Sequence, residues 1–251
     1  MSTPAFGVGL VHGVMATASR ARLPPIADAF DAAAVIGAAT DRHALLISNV
    51  PPCYQTQLEA DRLFSDPACI STLAVAHHRI LQAAAVVADV VPIRLGTLVA
   101  GPAGAQDLLI REAKRFADGL AVIHDALEFG VRVLAIRSPA PQATRLEAAS
   151  GRDYLRARRD ERAGRRPAVD LALEQLARRA VAMRLRQPST RQAGPPPIAD
   201  AAYLVERRKL AAFTAEAGRI ERQIAGNSLA LDVFGPLPAY SFVDTRLEDR
   251  T

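Results

Sequence analysis

With 251 residues, 50% of them hydrophobic, the chain has apolar material for one large packed core or two small ones, which excludes a disordered tail or linker. Cys53 and Cys69, with 15 residues between them and no CxxC or further thiol, exclude a four-ligand zinc site and fit a reducing cytoplasm. The net charge of +5 is uneven: residues 1–125 hold 9 Lys/Arg against 11 Asp/Glu, the remainder 22 against 15, and Arg145 to Arg191 alone holds 13 arginines against 6 acids.

Residues 1–19 carry no charged side chain, yet Ser2, Thr3, Pro4, His12 and three glycines interrupt them, and the apolar run Ile80–Ala88 is too short to cross a bilayer. Neither a signal peptide nor a membrane span is expected. Phe6–Val14 alternates and Ala44–Val50 is a compact apolar run closed by Pro51 and Pro52, so both predict strands. Asp66 and Pro67 form a helix start, followed by Ile70, Leu73, Ala74, His77, Ile80, Leu81 and Ala84 at helical spacing. From Val91 to Val99 the period changes to two, which predicts one strand with Val91, Ile93 and Leu95 on one side, Arg94 on the other and Pro92 marking an edge or a strand start.

Gly101–Gly104 reads as a turn, Gln106–Leu127 as a helix and Gly130–Ile136 as a strand, with a domain boundary near it. Residues 144–186 read mainly as helix, bent or broken at Gly164 and Pro167. Val169, Leu173, Leu176, Ala180 and Met183 follow a 4, 3, 4, 3 spacing, an a/d seam flanked by arginines. The Pro-rich segment 187–198 predicts a mobile connection. Beyond it, Ala202–Val205 reads as a strand, Leu210–Ile224 as a helix and Leu229–Phe234 as a strand, and Gly235–Pro238 turns the chain into Ala239–Val243. The fold class is α+β.

Chemistry has little footing in these residues. Gly101–Gly104 lacks the Gly-Lys-Ser/Thr ending of a phosphate loop. His77 and His78, adjacent on a helix, point about 100° apart and do not chelate one metal together, so structural roles are expected of them. Neither cysteine has a local histidine partner, no Gly-x-Ser-x-Gly elbow exists, and Asp153, Asp160, Glu161, Asp170 and Glu174 are interleaved with arginines as surface ion pairs are. No catalysis and no cofactor are expected.

The arginine run is the candidate contact surface: Arg152, Arg156, Arg158, Arg159, Arg162, Arg165 and Arg166. Guanidinium forks suit carboxylate and phosphate alike, so a solvated charged helix, a protein-docking face and a nucleic-acid surface all fit. Against nucleic acid, Tyr154 is the only aromatic residue in the patch, which leaves no stacking platform for single strands. A basic, ferredoxin-like nucleic-acid-binding protein is the alternative reading.

Four stretches, in their order and spacing, resemble the GvpF/GvpL family of gas vesicle accessory proteins: Ala76–Leu81 leading into Val91–Thr97; Gly130–Leu134; Gly151–Leu155 with its arginine-rich continuation; and Leu229–Val243. The resemblance implies an N-terminal ferredoxin-like domain over 1–128 and a C-terminal α+β domain over 129–251 with a coiled-coil-like helical element. It also implies a cytoplasmic, gas vesicle associated protein without cofactor or small-molecule substrate. Such a protein acts in vesicle assembly by binding the shell protein GvpA and other accessory proteins.

Overall fold

The computed structural model describes residues 6–27, 29–30, 36–136, 151–187 and 196–244, with backbone alone at 36–37, 57, 60 and 151–163. The chain divides into two compact units, the described residues of Met1–Leu127 with Pro236–Thr251, and Glu128–Gly235.

The first unit is built around β1 (Val8–Ala16), whose side chains are buried on both faces. It pairs antiparallel with β3 (His43–Asn49), which pairs in turn with β2 (Ile36–Ala39). The β1–β3 register slips by one residue between Val11 and Gly13, so His12 is the extra residue of a bulge. The other side of β1 is covered by two short strands, β4 (Val90–Pro92) against Gly13–Met15 and β5 (Leu98–Ala100) against Val8–Leu10. The single strand expected over 91–99 is therefore interrupted. Thr97 donates its N–H to the Arg94 carbonyl at 3.3 Å, and Gly96 takes φ +95°, a turn conformation that side chains resist. Pro92 does lie in an edge strand, and Arg94 is exposed while Val91 and Ile93 are buried.

Two helices follow β3. α1 (Gln57–Ser65) starts with a reciprocal capping box between Thr56 and Glu59, and α2 (Pro67–Val87) starts with Asp66 accepting from the Ala68 N–H. α2 lays Leu73, Ala76, His77, Ile80, Leu81 and Ala84 into the core beside Leu10, Met15, Ala44 and Leu46. Ile80 and Leu81 are fully buried, about 2–3 kcal/mol of transfer free energy each. By length and composition alone α2 could cross a membrane, but here it is the core helix of this unit. The helix expected from Gln106 to Leu127 is two: α3 (Gly101–Arg111) and α4 (Ala113–Val122), separated at Glu112. Gly101–Gly104, expected as a turn, is the first turn of α3, because Pro102 at its start needs no hydrogen-bond partner for a missing N–H.

The second unit runs β6 (Ala126–Ala135), α5 (Gly151–Ala177), β7 (Ala182–Leu185), β8 (Ala199–Glu206), α6 (Leu210–Ala225) and β9 (Leu229–Leu237). Its strands lie in the order β7-β8-β6-β9, and the first unit repeats that pattern as β2-β3-β1-β4, the second and third strands of each set beside the first and fourth. Tyr203 and Phe129 pack on Phe213 with ring centres 5.6 and 5.4 Å away, and the Tyr203 hydroxyl donates to the Leu173 carbonyl of α5 at 3.0 Å.

α5 continues through Gly164 and Pro167, so neither ends it. The a/d seam is shorter than its spacing implies. Val169, Leu173 and Leu176 are buried, but the helix stops at Ala177, and Met183 is a residue of β7. Residues 178–186 read as helix because arginines favour helix and Ala180 and Met183 fit the seam. In the fold they form a turn and a strand pairing antiparallel with β8. The start of the expected helical element, 144–150, and residues 188–195 of the Pro-rich segment lie outside the described residues.

Candidate partner-binding surfaces

The two adjacent histidines of α2 face different neighbours. The bulge in β1 aims the fully buried His12 at His77, with their Nδ1 atoms 2.9 Å apart, while the Nε2 of His12 lies 2.8 Å from Ser48 Oγ. Ser48 Oγ itself accepts the Ala29 N–H at 2.9 Å, and the His77 ring bonds the Ile93 backbone. Since the Ile93 N–H is given to the His12 carbonyl, the Ile93 carbonyl must be what His77 meets. One arrangement satisfies every group: Ser48 donates to His12, His12 donates to His77, and His77 donates to Ile93. It requires both rings neutral, because a proton on His77 sets two N–H groups face to face and one on His12 Nε2 removes the acceptor of the Ser48 O–H. Burial first and the neighbouring ring second lower His12 to about 3; burial and then His78 lower His77 to about 4.

His78 instead stacks on Tyr240, its Nδ1 3.2 Å from the Tyr240 hydroxyl, and Gln82 donates to the Pro236 carbonyl at 3.2 Å. Arg115 of α4 pairs with Asp244 at 3.1 Å. These bonds strap residues 236–244 to the first unit. Beneath the strap, Val91, Phe116, Gly119, Val122, Phe242 and Val243 line an apolar cavity of about 210 Å³. Two of the motifs noted in the sequence, Ala76–Leu81 and Leu229–Val243, thus meet through His78 and Tyr240.

In the second unit Arg132 and Arg186 both lie over the Phe234 ring, at 4.5 and 5.5 Å from its centre. Arg186 reaches Asp200 at 2.9 Å and the buried Glu128 at 3.5 Å, while Arg132 reaches Asp200 at 3.4 Å and Asp232 at 3.9 Å. The stacked ring fits only because position 130 is glycine, where a Cβ would strike Phe234. This accounts for Gly130 and Arg132 in the Gly130–Leu134 motif as an ion-pair and stacking network within the sheet.

The arginines expected to meet a partner all lie on α5. Arg152, Arg156, Arg158, Arg159 and Arg162 fall where only the backbone is described; Arg165 is half-buried; Arg166 is exposed and 3.7 Å from Asp170. At 100° per residue, positions 152, 156, 159 and 166 form one stripe, while 158, 162 and 165 continue the line of the buried Val169–Leu176 face. The seven therefore occupy two stripes.

A sheet edge was the other contact surface expected from the sequence, though without residues, and one lies further along the same unit. At its border, Met183 and Leu185 of β7 are exposed by 37 and 67%, and Val181 just before the strand by 57%. The alternation of Met183 and Leu185 was the available signal, masked by the fit of Ala180 and Met183 to the helical seam. Among the described residues no group of three His, Cys, Asp or Glu side chains is placed to hold a metal.

A family model described as Gas vesicle synthesis protein GvpL/GvpF matches residues 10–244. Gas vesicle protein L of Streptomyces sp. (strain CB03234) is 30% identical over 195 residues, covering 72% of this chain and 72% of that one. The crystal structure of gas vesicle protein GvpF from Anabaena sp. PCC7120 matches with a TM-score of 0.65 at 13% identity, over 99% of both chains. That of GvpF from Microcystis aeruginosa matches at 0.63 and 15%, over 94% of this chain and 98% of the other. At such identities the structures attest the mixed α and β fold. With the family match spanning nearly the whole sequence, the chain belongs to the GvpL/GvpF family of gas vesicle synthesis proteins and has an accessory role in the gas vesicle.

Proposed function

We propose that the chain acts in gas vesicle assembly by binding alone, in the cytoplasm, holding or delivering shell subunits through contacts with the shell protein GvpA and other accessory proteins. An apolar shell protein needs such a partner, because exposed apolar patches and open strand edges otherwise self-associate. In this reading the two units are two domains, near 1–128 and 129–251, with the closing segment from Pro236 packed back on the first. The strand order common to both sheets supports reading the first as ferredoxin-like.

The observation that carries the reading is α5. Its C-terminal part docks through Val169, Leu173 and Leu176, while the preceding stretch carries seven arginines within residues 152–166. Such density of planar, permanently charged donors suits carboxylates on a protein surface.

Replacing Arg156, Arg158, Arg159 and Arg162 together by Glu tests it. Co-purification of GvpA or the accessory proteins is expected to fall by about tenfold or more, with the circular dichroism spectrum unchanged. Undiminished capture removes the arginine surface from the mechanism.

A further inference from the structure

We propose that the open edge of β7 receives an extended strand from a partner, apolar at alternate positions and acidic between them, which lengthens the sheet of the second unit by one strand. This rests on the binding role proposed above and gives one of its contacts a defined chemistry.

The main chain carries the first part of the argument. β7 is the terminal strand in the order β7-β8-β6-β9. Arg186 donates its N–H to the Asp200 carbonyl at 2.8 Å, which makes that pair a hydrogen-bonded one. In an antiparallel ladder such pairs alternate, so Arg184 with Ala202 and Ala182 with Leu204 are also bonded, and Met183 and Leu185 are not bonded to β8. The N–H and C=O of Met183 and Leu185 therefore point out of the sheet, four groups at strand spacing.

The side chains carry the second part. Met183 and Leu185 fall on one face by alternation and are exposed by 37 and 67%, and Val181, exposed by 57%, precedes the strand with its N–H given to the Leu204 carbonyl at 2.7 Å. The opposite border, β9, is interrupted by Gly235 and Pro236, and β4 in the first unit by Pro92. Such residues block edge pairing, and β7 carries neither proline nor glycine. Among the described residues no strand pairs with this border, and such an apolar edge accepts a strand whose own apolar side chains cover Met183 and Leu185.

Charge selects the partner. Residues 178–186 contain four arginines and no carboxylate. Arg186 is held by Asp200 and Glu128, and the guanidinium-bearing residues Arg178, Arg179 and Arg184 are all exposed on the protein surface. A strand with acidic residues between its apolar ones matches that field, and a basic one is repelled.

The probe is a fluorescent eight-residue peptide of alternating valine and glutamate, titrated into the full chain, with a valine–lysine peptide beside it. The first is expected to bind and the second to bind at least about tenfold more weakly. Met183→Pro removes one outward N–H and no bond to β8, so it is expected to weaken binding by about tenfold with the circular dichroism spectrum unchanged. Leu185→Glu, at a position exposed by 67%, is expected to do the same and serves if the proline variant does not fold. Equal binding by wild type and Leu185→Glu overturns the proposal, as does equal binding of the two peptides. A wild-type chain that captures gas vesicle proteins but not the peptide overturns the edge and leaves the binding role standing; one that captures neither overturns both.

Discussion

Mild acid should loosen the first unit well before its carboxylates titrate. In the unfolded chain His12 and His77 take up protons near 6.5, whereas in the folded chain they are lowered to about 3 and about 4. Their contribution is complete above 6.5 and declines as the pH falls towards the folded values, because the unfolded state then binds more protons. Each neutral ring costs about 1.4 kcal/mol per pH unit in that window, so the pair costs about 4 kcal/mol at pH 5. Against a typical total of about 5–15 kcal/mol that is a large fraction. His43, lowered by burial and then by Arg42, acts in the same direction. The lowered carboxylates, Asp66, Glu206 and Glu216, are not involved here, since theirs is lost only at lower pH. Imidazole C2–H resonances followed by NMR from pH 8 to 4.5, with urea unfolding at pH 7 and pH 5, measure both sides of the linkage. Titration of His12 and His77 near 6.5, or a stability change below about 1 kcal/mol, would refute the neutral relay through Ser48, His12, His77 and Ile93.

Two further outcomes follow from the packing. Gly130→Ala places a methyl group against the Phe234 ring and displaces it from Arg132 and Arg186; a loss of about 1–3 kcal/mol in the unfolding of the second unit is expected, and a neutral substitution contradicts the stacking account. Phe242→Ala removes a 5% exposed ring from the strap, and a loss of about 3–5 kcal/mol is expected in the first unit by denaturant unfolding, with Tyr240 amide exchange accelerated.

Much of the fold is legible in the sequence where a short-range rule governs. The Asp66–Pro67 helix start, the strands near Val8 and Ala44, and the closing elements β8, α6 and β9 follow from caps and periodicity. α1 also announces itself through Thr56 and Glu59, a signal passed over. Errors occur where one pattern satisfies two periods. Met183 fits a helical seam as well as a strand, and the alternation from Val91 to Val99 conceals the turn at Gly96. β2, written Ile36-Gly-Ala-Ala39, has almost no side-chain signature, and its pairing with β3 defines it. The buried histidine pair spans 65 residues and the His78–Tyr240 stack 162, distances that no local pattern records. Chain order and motif spacing revealed the family, but not which residues of those motifs touch.

The strap has a consequence for synthesis. Pro236–Asp244 belongs to the first unit, yet the whole of Glu128–Gly235 leaves the ribosome before it does. At about 5–20 residues per second, the α4 face around Phe116 and Gly119 waits roughly 5–20 s for its cover. During that interval the nascent chain presents Val91, Phe116 and Val122, which in the finished protein share a pocket with Phe242 and Val243. The first unit to be made is thus the last to be completed, and the intervening unit must fold without help from a finished neighbour.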